Sequence, residues 1–222
     1  MDSDIGRSLP APISSISVQK RNKKRYSIFI DDQYLIGVSE NTLLSFNLRK
    51  GKTITLQIYH KLQKEENRHG IKKYLLKLLA RRIHSRKELK DKALRKEYPP
   101  EIIGDILDEL ENKDYINDIE FARSFAQSKY KSKRWGPTKI ISHLYRKGIT
   151  GSTAEKYVEE LFRDENLEET FIHLISKRKW RYEKEDNLLK RKKKIVRYLA
   201  QKGYRSSDIY GSIDKLMTLI EE

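Results

Sequence analysis

With 36% charged and 37% hydrophobic residues, a chain of 222 residues has too little apolar material for one large core and predicts an elongated series of small helical cores under charged faces. Its 13 Tyr, 6 Phe and 2 Trp argue against global disorder, and the absence of cysteine excludes disulfide scaffolds, zinc ribbons, thiol nucleophiles and iron–sulfur sites and fits a reducing cytoplasm. The net charge of +16 favours a polyanionic partner, while no apolar segment resembles an export signal in Met1–Lys20 or approaches the roughly 18 residues of a membrane span, so a soluble protein with no membrane partner is expected.

Residues 1–12, with Pro10, Pro12 and little apolar content, read as a flexible leader. From Ile13 the period becomes two: Ile16 and Val18, then Tyr26, Ile28 and Ile30, then Tyr34, Ile36 and Val38 alternate with polar residues, which predicts three strands. Arg21-Asn22-Lys23-Lys24 and Asp31-Asp32 supply the turns of an antiparallel meander. Ser39 can cap a short helix carrying Leu43, Leu44 and Phe46, and Gly51 ends that segment. Thr53–Glu66 fits either period, with helix preferred. From Ile71 the pattern is helical throughout, beginning with Leu75, Leu76, Leu78 and Leu79.

The helical region repeats. Placing Glu97, Gly148 and Gly203 in register also aligns Leu89, Ile140 and Ile195; Ala93, Leu144 and Leu199; and Tyr98, Ile149 and Tyr204. Downstream, Ile103, Leu107 and Leu110 match Ala154, Val158 and Leu161, then Ile209, Ile213 and Leu216. Each repeat reads as three helices with a tight turn before the third, an arrangement like a helix-turn-helix. Asn117 with Glu120, Ser85 with Glu88, Ser152 with Glu155 and Asn166 with Glu169 have the spacing of a cap and its N3 acid, and Gly136-Pro137 and Pro99-Pro100 suit helix starts. Gly148 and Gly203 fit the left-handed position that closes a helix; Glu97 does not, and Pro99-Pro100 is expected to end its helix instead. The expected fold is mainly α: tandem three-helix repeats over 67–117, 118–165 and 166–222, preceded by an antiparallel β module with a helix over 13–66.

Charge alternates with the repeats. Lys177–Arg205 carries a net +10 and Lys129–Lys147 a net +7, whereas Glu101–Glu120 is at −7 and Glu155–Glu169 at −5. The candidate anion-binding residues are therefore Lys133, Arg134, Trp135, Lys139, Arg146 and Lys147 in the first basic block, and Lys177, Arg178, Lys179, Trp180, Arg181, Lys190, Arg191, Lys192, Lys193, Lys194, Arg197, Lys202 and Arg205 in the second. Against this stands the usual fate of a charge run, a solvated helix face. Trp135 and Trp180, each among cations, suit stacking on exposed bases or, equally, capping of a helix junction. Tyr115, Phe121, Ala122 and Phe125 read as a core face rather than a recognition patch.

Catalytic readings find little. His60, His69, His84, His143 and His173 show no metal-ligand spacing, Asp105, Asp108 and Glu109 read as an acidic solvent face, and Arg49-Lys50-Gly51-Lys52-Thr53 lacks the first glycine of a phosphate loop and reads as a turn. No cofactor, metal or catalytic residue is expected.

Leu79-Ala80-Arg81-Arg82 followed by Ser85 and Glu88-Leu89, then Asp114 through Ala122 (DYINDIEFA), then Gly136-Pro137 with Ile140 and Leu144, and finally Lys147-Gly148-Ile149 carry a resemblance to the RecX family of regulators of the RecA recombinase, over residues 13–222. Asp114 and Glu97 depart from it, as the family more often has Gly at both. The resemblance implies a non-enzymatic modulator that binds the RecA–DNA filament and mainly inhibits it, by occupying the groove or blocking filament extension; a monomer is expected, with single-stranded and secondarily double-stranded DNA as further partners. A helix-turn-helix regulator reading duplex DNA directly is the alternative, and a metal-dependent nuclease a third that would need convergent carboxylates.

Overall fold

The alternation seen from Ile13 to Val38 does build a sheet. The structure, a computed structural model, describes residues 9–221. Five short strands, β1 (Ala11–Pro12), β2 (Ser15–Gln19), β3 (Asn22–Ile30), β4 (Gln33–Ser39) and β5 (Thr53–Ile54), form two antiparallel sheets, β1 with β5 and β2-β3-β4. The leader expected over 1–12 thus falls mostly outside the described residues, and Ala11–Pro12 pair with Thr53–Ile54. Asp31 and Asp32, at φ 45° and 60°, make the two-residue hairpin turn between Ile30 and Gln33.

The other hairpin differs from expectation. It turns at Lys20-Arg21, with Gln19 opposite Asn22, so that Asn22–Lys24 extend β3. Lys23 and Lys24 are exposed there, and a strand end in water tolerates polar residues on both faces.

Helix α1 (Glu40–Ser45) starts at Ser39, whose hydroxyl accepts from Thr42 N–H at 3.2 Å. Thr55 then caps α2 (Leu56–Leu79), a single unbroken helix of 24 residues. The boundary drawn from the sequence between residues 66 and 67 falls inside it. Tyr59 and Leu62 join the β-module core with Ile13, Ile28, Val38 and Ile54, while Ile71 and Leu75 are buried two turns on. Glu66 ties this helix to the sheet: its carboxylate accepts from Ser39 N–H and Thr42 Oγ1, both at 2.7 Å, and pairs with Arg25 at 2.9 Å.

Nine further helices follow among the described residues: α3 (Arg86–Leu94), α4 (Pro100–Asn112), α5 (Asp118–Lys133), α6 (Pro137–Arg146), α7 (Ser152–Arg163), α8 (Leu167–Ser176), α9 (Lys179–Glu183), α10 (Leu188–Lys202) and α11 (Ser206–Glu221). The described residues are mainly helical, and none of their helices is long and apolar enough to cross a membrane. The chain divides into two compact units, one comprising the residues through Arg82 with Leu89–Lys113, the other Ile83–Glu88 with the residues from Asp114 onward. In the first, α2 packs on α4, and Glu109 of α4 pairs with Arg68 and Lys72 of α2, each at 2.6 Å, and with Lys113 at 2.9 Å.

The repeat is explicit in the backbone. Leu89, Ile140 and Ile195, and Ala93, Leu144 and Leu199, are fully buried. Tyr98, Ile149 and Tyr204 each donate a backbone N–H to the carbonyl of Ala93, Leu144 and Leu199 respectively, the 6→1 bond of a left-handed helix termination. The residues before them take the required positive φ: Gly148 at 87°, Gly203 at 94°, and Glu97 at 59°. The expectation that Glu97 avoids this conformation is corrected. A left-handed L-residue costs about 1–2 kcal/mol, which a packed helix tolerates when the side chain meets only solvent, and Glu97 is exposed. Asp114, the other departure from glycine, is also left-handed, at φ 56°.

Among the expected caps, Ser85, Asn117 and Asn166 accept from the N–H groups of Glu88, Glu120 and Glu169. Ser152 does not: α7 begins at Ser152 itself, after Gly151 at φ 64°, with no side-chain cap. Phe121 and Ala122 are buried and Phe125 packs against them, but Tyr115 is 57% exposed and lies outside that core. The first helix of the third repeat is broken: Arg178 leaves helical geometry at φ −128°, and the short α9 restarts to bury Tyr182.

Candidate nucleic-acid interface

Cations collect where helices end. Lys133 and Arg134 close α5, Lys177 closes α8 and Lys202 closes α10, each at the C-terminal end where the helix dipole favours positive charge. These three ends meet within the second compact unit. Lys202 Nζ donates to the Lys133 carbonyl at 2.8 Å, and Tyr204 Oη to the Arg134 carbonyl at 3.1 Å, so these two carbonyls at the end of α5 are occupied.

A hollow of about 430 Å³ opens between them, lined by Lys133, Arg134, Trp135, Lys177, Arg178 and Lys202 together with Ser132, His173, Leu174 and Tyr198. Beside it lies a second of about 320 Å³, lined by Arg178, Arg181, Lys194, Arg197, Tyr182, Tyr198 and Gln201. Arg178, its guanidinium 4.2 Å from the Tyr198 ring centre, is the shared wall. Among the described residues, no Asp or Glu lines either hollow. The charge crowding is felt at Lys202, whose ammonium is held below the ordinary lysine value by burial first, and then by Arg178, Lys139 and Lys133.

The remaining candidates are spread more widely. Lys139 borders the first hollow indirectly, donating to the Gln201 carbonyl at 3.0 Å and lying 5.1 Å from the Trp135 ring centre. Trp135 itself is half-buried, 4.4 Å from His143 centre to centre, among Lys129, Lys133 and Lys139. His143 is held below its ordinary value by burial and then by the charges of Arg146, Lys139, Lys147 and Lys129. Trp180 is 57% exposed beside Arg181 and Lys184. The two indoles, alike in the sequence, thus occupy different settings.

Several cations are committed to structure. Lys147 pairs with Glu88, Lys179 with Glu183 at 3.9 Å, and Arg205 with Glu159 at 3.7 Å. The run Lys190–Lys194 does not form one face, because successive helical residues turn by about 100°. Arg191 reaches Glu221 and Lys192 reaches Asp214, both on α11, at 3.6 Å, while Lys194 binds Glu185 at 2.6 Å and holds that carboxyl below its usual range. Lys190, Lys193 and Arg146 are exposed without an ion pair among the described residues. Tyr198 was absent from the candidates. Its position, four residues after Lys194 and four before Lys202 on one helix face, was the signal available for finding it.

The second and third repeats are joined by the same device as Ser85–Glu88 and the second. Ser85 Oγ donates to the Lys147 carbonyl at 2.7 Å, and Gly136 N–H to the Lys202 carbonyl at 2.8 Å, so the start of one repeat's second helix meets the end of the next one's.

Comparison with known proteins agrees with this repeat architecture. Four family models match in chain order: the regulatory protein RecX N-terminal domain over residues 11–55, and the first, second and third RecX three-helix domains over 72–110, 117–158 and 166–211. A regulatory protein RecX of Listeria welshimeri is 38% identical over 198 residues, covering 87% of this chain and 71% of that protein. Another, from Clostridioides difficile, is 32% identical over 209 residues, covering 94% of this chain and 97% of that protein. A crystal structure of regulatory protein RecX superposes with a TM-score of 0.72 at 26% identity, covering 92% of this chain and 99% of the other. That of RecX from Lactobacillus salivarius gives 0.60 at 25% identity, covering 71% and 98%. With one sheet module and three three-helix domains matched in order along its length, the chain belongs to the RecX family of regulatory proteins.

Proposed function

We propose that this protein binds the filament that RecA recombinase forms on DNA and restrains it, by lying in the filament groove or blocking extension, without catalysing a reaction. Family membership supports a regulatory role, and the observation that carries the contact with a polyanion is the pair of adjoining hollows lined by cations and, among the described residues, by no carboxylate. Charge attraction supplies speed, and serial repeats supply several modest contacts at once. The protein acts in the cytoplasm, as a monomer.

Measuring RecA ATPase on single-stranded DNA with substoichiometric protein tests this. Inhibition at ratios well below one per RecA protomer is expected, and unchanged hydrolysis would remove the proposal. Direct reading of duplex DNA by α10 is less favoured, because Arg191 and Lys192 each have a carboxylate of α11 at 3.6 Å that competes for their donors.

A further inference from the structure

Eight cations line the twin hollow, and among the described residues only Lys194 has a carboxylate within ion-pair distance. Elsewhere in the same compact unit Lys147, Arg191, Lys192, Arg205 and Lys215 all have one. Like charges held together without counter-charge repel and are kept in place by other contacts: Lys202 by a backbone carbonyl, Arg178 by the Tyr198 ring. Cations so arranged make a seat for anions.

We infer that the twin hollow seats two neighbouring phosphates of one nucleic-acid strand, one on each side of Arg178, and that filling it fastens the second repeat to the third. Resting on the DNA-contact reading above, this names the residues and the form of nucleic acid. Four of the eight cations are arginines, whose forked donors match phosphate oxygens. Two hollows sharing a wall suit an anion that recurs along a chain. Trp180, exposed and next to the cleft-lining Arg181, offers a flat face on which an unpaired base can stack, which an acidic protein surface has no use for. The walls come from the end of α5 on one side and from α8, α9 and α10 on the other, so a bound strand bridges both repeats.

The test uses the full chain, without RecA, and a labelled 12-nucleotide oligothymidylate. Lys177→Glu with Arg197→Glu takes one exposed cation from each hollow; Lys190→Ala with Lys193→Ala removes two exposed cations outside them. The cleft pair is expected to weaken binding at least tenfold and to lower the slope of log K against log salt by roughly 1.4, as for two lost phosphate contacts on a single strand. The outer pair should change affinity less than threefold, and the oligonucleotide should raise the Tm of the unaltered chain but not of the cleft variant. If charge reversal itself lowers the Tm, Lys177→Gln with Arg197→Gln gives the same comparison. Undiminished binding by the cleft variant, a larger loss from the outer pair, or equal occupancy by an oligoglutamate peptide of matching charge would overturn the inference. Because RecA is absent, a failed ATPase test would leave this seat standing, and loss of the seat would leave ATPase inhibition to be judged separately.

Discussion

Gly136 donates its backbone N–H to the carbonyl of Lys202 at 2.8 Å, and a β-carbon placed on Gly136 would lie 2.5 Å from the carbonyl carbon of Gly203. At Gly203 a β-carbon would lie 2.3 Å from Lys139 Cβ, with φ already at 94°. Two backbones touch here because neither residue has a side chain. Gly136→Ala and Gly203→Ala should each lower stability by about 2–3 kcal/mol in urea unfolding. Gly211→Ala, in open helical surroundings, should raise it by about 0.5–1 kcal/mol. Equal effects at the three positions would mean that the close approach does not exist.

Glu97 performs the turn that glycine performs in the other two repeats, at φ 59° and exposed. Replacing it with glycine should relieve strain and stabilise the first repeat by about 1 kcal/mol. Thermal denaturation of Glu97→Gly reads this directly, and a lower Tm would show that the glutamate side chain contributes more than its backbone costs.

Lys72, then Lys113, hold the Glu109 carboxyl at about 2, well below its ordinary 4.5. A depressed carboxylate stabilises the fold above pH 4.5 and loses that contribution as pH falls towards 2. Glu109→Gln should therefore be less stable than the unaltered chain at pH 6, by about 1 kcal/mol given its partial exposure, with the gap closing by pH 2. A gap that is constant with pH would assign the loss to packing instead.

Glu66 satisfies Arg25, the Ser39 N–H and the Thr42 hydroxyl at once. Glu66→Ala strands the Ser39 N–H and removes the counter-charge of Arg25, which keeps the Gly37 carbonyl, while the Thr42 hydroxyl keeps that of Ser39; it should cost about 3 kcal/mol in the first compact unit, whereas Glu66→Gln keeps one acceptor and should cost less. Hydrogen exchange at the Ser39 amide distinguishes them, since its protection depends on that acceptor.

The triplets Leu89, Ile140, Ile195 and Ala93, Leu144, Leu199 were legible because helical burial imposes a period that needs no partner to be seen. Asp31-Asp32 was legible for a similar reason, as a local turn. What escaped depends on contacts across the chain. Thr53–Glu66 looked like a separate element because nothing local says that α2 continues to Leu79. Glu97 takes a conformation its identity argues against, because the cost is set by what surrounds it. Tyr115 sits beside a core signature yet points to water. The basic block was legible as charge, but its division into paired Arg191 and Lys192 and cleft-lining Lys194 and Arg197 follows from where α11 lies, and Tyr198 enters only as the wall that Arg178 covers.

The unbroken course of α2 has a consequence for how this family can vary. Tyr59 and Leu62 face one core and Ile71 and Leu75 another along a single rotating screw. One residue inserted between Leu62 and Ile71 would advance the far half by about 100° and carry one of the two apolar stripes out into water. Substitutions in that stretch are cheap by comparison; its length acts as a gear setting, and evolutionary indels should be purged there while they accumulate in neighbouring loops.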